Sequence, residues 1–138
     1  MEFFANISWH RLLRWALVSQ LIAYPLTLVL FTLARITGIG SFFQFSLLVY
    51  PCVYFLFGLR YFRKSSTDWN THVVSALIWA AIGYAICLVL YVPIYAAPIA
   101  DQLQKSALTL HGLNAVILLL AGFFTRPRLP PDVEGPGL

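Results

Sequence analysis

Four uninterrupted apolar runs constrain what this chain can fold into. They cover residues 15–34, 39–59, 73–92 and 107–124, and none contains an Asp, Glu, Lys or Arg. An α-helix rises about 1.5 Å per residue, so about 20 residues cross the roughly 30 Å of bilayer hydrocarbon. The runs are continuous rather than alternating, which excludes the dyad pattern of barrel strands. In lipid a spanning segment must bond its own backbone groups, and a helix does so. The pattern therefore predicts an all-α protein, a four-helix transmembrane bundle. Composition agrees: 60% of the chain is hydrophobic and 10% charged, against about a quarter charged in soluble domains. An ordinary soluble domain, a disordered chain and a disulfide scaffold are excluded on that ground.

The links organise the runs into a single membrane domain over residues 1–128. The first link, residues 35–38, is short and glycine-bearing, so the first two spans form a tight hairpin. The second, residues 60–72, is polar and basic. The third, residues 93–106, holds Pro93 and Pro98, which should break the helix there. Residues 129–138 form a Pro/Gly-rich tail expected to be disordered. Arg11 and Arg14 precede the first run as in a signal peptide. That run is too long for a typical signal, so it reads as an uncleaved first span.

Basic residues are distributed unevenly. With four spans, Arg11, Arg14, Arg60, Arg63, Lys64, Arg126 and Arg128 share one side, and Arg35 and Lys105 lie on the other. Seven against two is a positive-inside bias that places both termini in the cytoplasm. It suggests a bacterial inner (plasma) membrane. Trp9, Trp15, Tyr61, Trp69, Tyr91 and Tyr95 border the spans, where aromatic belts sit. Phe3, Phe4, Trp9, Leu12 and Leu13, with Arg11 and Arg14, suggest either a short amphipathic surface helix or a plain extension of the first span. The net charge of +4 thus reads as topology signal and not as a nucleic-acid footprint. Arg60, Arg63 and Lys64 are candidates for contact with anionic phospholipid headgroups or another anionic ligand.

Helices in lipid meet through small and polar residues. Ala76, Ala80, Gly83 and Cys87 recur four, three and four apart, so they form one packing stripe on the third span. His111, Asn114, Ala115 and Leu118, with Gly122 a turn on, share a side of the fourth. Gln20, Tyr24 and Thr27 share a face of the first. Gln44 and Pro51 share a face of the second, with Ser46, Tyr50 and Tyr54 on a different one. Pro25 and Pro51 should kink their helices. Cys52 and Cys87 read as packing residues, linked only if their helices adjoin at matching depth.

The candidate polar positions inside the membrane are Gln20, Gln44, His111 and Asn114. Amides there are commonly interhelical glue. An embedded histidine raises proton relay, haem ligation or quinone contact as possibilities. His72 and His10 lie at the opposite membrane edge from His111, so a haem held by two histidines of one chain is disfavoured. No carboxylate lies within a span. Asp68 with Ser65, Ser66 and His72 matches no nucleophile elbow. No phosphate loop, metal cluster or catalytic set stands out, and no cofactor is implied.

The four-span layout is similar to the small multidrug-resistance transporters, which work as dimers. Their first span carries a central glutamate where this one has Gln20. The run from Tyr54 to Lys64, aromatic and then basic, looks loosely like the second-span end of the polyprenyl-linked glucose flippase family, without its asparagines. The first reading of function is a non-enzymatic accessory or interaction subunit of a membrane complex, associating with copies of itself or a larger partner. The second is a small oligomeric transporter or lipid-linked sugar flippase. The third is a redox or quinone-linked subunit using His111.

Overall fold

A computed structural model describes residues 7–64, 68–95 and 105–125, with residues 91–95 and 105–107 described by backbone alone. All regular structure in these residues is helical: α1 (Trp9–Thr37), α2 (Gly40–Arg63), α3 (Trp69–Tyr95) and α4 (Lys105–Phe124). Three helices are long and apolar enough to cross a membrane; α4 offers a shorter apolar stretch, Leu108–Phe124.

Each helix differs at its ends from the apolar run it contains. The 29 residues of α1 reach about 43 Å, more than the hydrocarbon thickness. Residues 9–14 are a continuous extension of the first span, with Leu12 fully buried, and not a separate surface helix. The α1–α2 hairpin closes through Gly38 and Ile39 alone. Gly38 adopts φ 69°, a left-handed conformation open to glycine, and donates its N–H to the Ala34 carbonyl. Thr37 seals the turn by donating its hydroxyl to Leu33 O at 2.7 Å. Arg60 and Arg63 belong to the last turn of α2 rather than to a loop, where positive charge complements the helix dipole.

The helix break expected at Pro93 does not occur, because α3 continues to Tyr95. Proline forfeits one backbone hydrogen bond, a loss that the rest of the ladder in a long helix outweighs. Pro25 and Pro51 likewise lie inside continuous helices. Pro98 and the 129–138 tail lie outside the described residues.

The packing order around the bundle is α1, α2, α4, α3, each helix packing mainly against two neighbours. Matching pairs give the directions. Trp15 meets Phe57 at 5.3 Å and Phe31 meets Phe43 at 6.1 Å, so α1 and α2 are antiparallel. Tyr84 meets His111 at 4.8 Å while Gly122 lies against His72, so α3 and α4 are antiparallel too. The start of α1, the end of α2, the start of α3 and the end of α4 therefore share one end of the bundle.

The inward faces follow the helical period. On α1 they are Leu12, Ala16, Ser19, Gln20 and Ala23; on α3, Ala76, Ala80, Gly83 and Cys87 are all buried, as a small-residue stripe should be. Gly58 of α2 lies so close to α4 that a Cβ there would come within 2.9 Å of Ala121 Cβ. Small residues thus permit close helix approach where apolar burial supplies no drive.

Candidate functional site

The bundle interior holds a polar cluster built on Gln20. Its Nε2 donates to the Tyr54 hydroxyl at 2.6 Å. Its Oε1 accepts from the Tyr50 hydroxyl at 3.3 Å and from the Cys87 thiol at 3.6 Å. The Tyr50 oxygen and the Cys87 sulfur also lie 3.7 Å apart. Three helices meet here: α1 supplies the amide, α2 the two tyrosines one turn apart, α3 the thiol. A turn away, Trp79 Nε1 donates to Ser19 Oγ at 3.1 Å, and the Ser19 hydroxyl donates to Ala16 O at 2.8 Å.

The geometry depends on Gly83. A Cβ at this position would collide with the Tyr54 hydroxyl and lie 2.6 Å from Gln20 Nε2. The glycine is the floor on which the Gln20–Tyr54 bond rests. Tyr54 and Trp79 are both fully buried, with ring centroids 6.2 Å apart. Tyr61 stands edge-on to Trp79 at 5.5 Å. Aromatic side chains therefore fill the diagonal between α2 and α3 where an open bundle would hold a channel.

Asn114 behaves differently. It is 0% exposed, yet both carboxamide atoms lack a hydrogen-bond partner among the described residues. Burying an amide unpaired costs on the order of 1–3 kcal/mol. His111, one turn away and half-buried, packs on the Tyr84 ring and has its Nδ1 without a partner among the described residues. Gln44 is exposed on α2, facing away from the interior that Ser46 enters two residues later. Gln20 and Gln44 therefore do not meet. Ala115 and Leu118 are buried beside Asn114, as their spacing predicts.

His72 lies in the first turn of α3, twelve positions before Tyr84. Gly122, which it touches, and His111 are eleven positions apart on α4, or about 16 Å along the axis. His72 Nδ1 pairs with the backbone carbonyl of Asp68 at 2.9 Å, and its ring packs on Phe62 at 4.8 Å. The Asp68 carboxylate is engaged by the Thr71 hydroxyl instead. Asp68 thus serves the start of α3 and does not orient the imidazole through its carboxylate. Cys52 is exposed and Cys87 buried, and both are free thiols.

The basic end divides into bound and unbound charges. Arg11 donates to the carbonyls of Tyr61 (2.8 Å) and Lys64 (3.3 Å) and lies over the Tyr61 ring at 5.1 Å. It ties the start of α1 to the end of α2. Arg60 lies over the Trp15 ring at 5.8 Å. Arg63 and Lys64 are exposed. No acidic residue occupies the first turn of α1, so its N-terminus adds a positive dipole end here, whereas the Asp68 carboxylate stands at the start of α3.

Tyr50, Tyr54, Ser19 and Trp79 were not singled out as site residues from sequence. The available signal was two tyrosines one turn apart in mid-span, with a serine adjoining Gln20. Compared with protein-family models, with curated proteins and with solved structures, the chain finds no match.

Proposed function

We propose that this chain is a multi-pass membrane protein with a non-enzymatic role, an accessory or interaction subunit of a membrane complex. The observation that carries this reading is the burial of Gln20, 2% exposed, with both ends of its carboxamide engaged within the chain. A polar side chain lining a substrate path keeps donors or acceptors for its cargo. Gln20 has spent both ends on Tyr54, Tyr50 and Cys87, and aromatic rings fill the space beside it. The exterior is apolar along all four helices, with Leu21, Ile36, Leu56 and Val89 among the exposed side chains. Such a surface suits lipid and neighbouring membrane helices alike.

In this reading α4 also crosses, its 20 residues reaching about 30 Å. The basic end faces the cytoplasm of a bacterial inner membrane, as the seven-to-two distribution of Lys and Arg suggests. Extraction into nanodiscs with native lipid, followed by mass spectrometry, tests the role. A stoichiometric protein partner is the expected result. A homo-oligomer that retains a polyprenyl lipid and moves it in reconstituted vesicles would replace this reading with a carrier.

A further inference from the structure

The lower flank of α1 carries an open groove lined by His10, Leu13, Arg14, Leu17 and Val18. His10 and Arg14 stand toward the basic end with Leu13 between them, Leu17 and Val18 follow a turn further in, and nearly all of the lining surface is apolar. The residues recur three or four apart, so they form one face of the helix running inward from the basic end. Of the two arginines beside it, Arg11 is committed to the Tyr61 and Lys64 carbonyls. Arg14, a turn further, is exposed and makes no hydrogen bond, ion pair or ring contact among the described residues. The first turn of α1 adds the positive end of its dipole and contains no acidic side chain.

We infer that this groove seats one anionic phospholipid from the leaflet at the basic end. Its phosphate lies on Arg14 and His10, and one acyl chain lies along Leu13, Leu17 and Val18. The ordering is the argument: charge at the interface and apolar surface deeper match the polarity of a phospholipid along its length. A soluble anion has no use for the apolar half, and a zwitterionic lipid brings a choline cation against Arg14 and the positive end of α1. The inference is independent of the accessory role, because it concerns a single chain and its solvent.

Native mass spectrometry of the full chain in mild detergent, titrated with phosphatidylglycerol or phosphatidylcholine, provides the test. One phosphatidylglycerol per chain should be retained in preference to phosphatidylcholine. Arg14→Gln should weaken retention about fivefold, equivalent to about 1 kcal/mol. Arg35→Gln, which removes an equally exposed charge from the other end of α1, should weaken it less than twofold. Leu17→Trp fills the apolar half with all charges kept and should also reduce retention. Equal loss in the Arg14 and Arg35 variants would overturn the site in favour of diffuse attraction. Unchanged retention in Leu17→Trp, or equal binding of phosphatidylcholine, would overturn it as well. Arg14 and Leu17 are exposed, so circular dichroism should show the helices intact in each variant.

Discussion

Gln20 and Tyr54 are thirty-four positions apart on different helices, and their side chains meet at 2.6 Å directly over Gly83 of a third. A single hydrogen bond and a missing side chain thus set the rotation of α1, α2 and α3 about their axes.

Gly83→Ala should break this junction. The added methyl cannot coexist with the Tyr54 hydroxyl, so α3 must retreat or the bond must open. Overpacking of this kind costs about 1–3 kcal/mol, and the thermal midpoint in detergent should fall accordingly. Gly112→Ala is the control, because a Cβ there meets nothing within 4 Å. It should be neutral or stabilising, as alanine favours helix over glycine.

Gln20→Leu removes the partner of Tyr54, Tyr50 and Cys87 at once. The expected loss is about 1–3 kcal/mol, from polar groups left buried and unpaired. Tyr54→Phe should cost less, since Oε1 keeps its two donors. A double-mutant cycle measured by reversible unfolding should return a coupling of about 0.6–1.7 kcal/mol, the range for interhelical bonds in lipid. Additivity would show that the bond contributes nothing.

Gly58 and Ala121 offer a reciprocal test. Gly58→Ala brings two Cβ atoms within 2.9 Å and should destabilise by about 1–3 kcal/mol. Adding Ala121→Gly returns the space on the other helix. The double variant should recover most of the thermal midpoint lost by Gly58→Ala, which an effect of Gly58 on backbone freedom alone would not allow.

Asn114→Leu should raise stability. The change removes an amide unpaired among the described residues and keeps the branched outline of the side chain, for a gain of about 1–2 kcal/mol. A fall in the unfolding midpoint would mean that the amide is bonded in the membrane, and its partner would then be the next question.

Arg11→Ala should loosen the basic end without unfolding the bundle. Hydrogen exchange at the end of α2 and in residues 9–12 should quicken, with a global cost of about 1 kcal/mol for a half-exposed contact. Arg11→Lys should not restore protection, because an ammonium does not reproduce the planar fork that reaches two carbonyls and stacks on Tyr61.

The recurrence of Ala76, Ala80, Gly83 and Cys87 at the helical period is legible in the sequence, and in α3 all four are buried. The paired face of α1 was readable in part: Gln20 stood out as a polar residue in an apolar run, but its partners did not. They lie thirty, thirty-four and sixty-seven positions away, and nothing local marks them as neighbours. The continuation of α3 past Pro93 is not legible locally either. A rule that treats proline as a stop weighs one lost bond without the rest of the helix that outweighs it.

Hydropathy is a property of each residue and adds along the chain, so the sequence alone determined the helical class, the apolar segments and the clustering of basic charge at one end. Which polar group is buried depends on the rotation of four helices against one another, and only the packed bundle decides that. Gln20 and Gln44 are the same residue in runs of similar character. One is enclosed by two tyrosines and a cysteine, and the other faces outward. The difference is a matter of about 100° per residue around the helix axis, settled by where Gly83 and Gly58 let the helices approach.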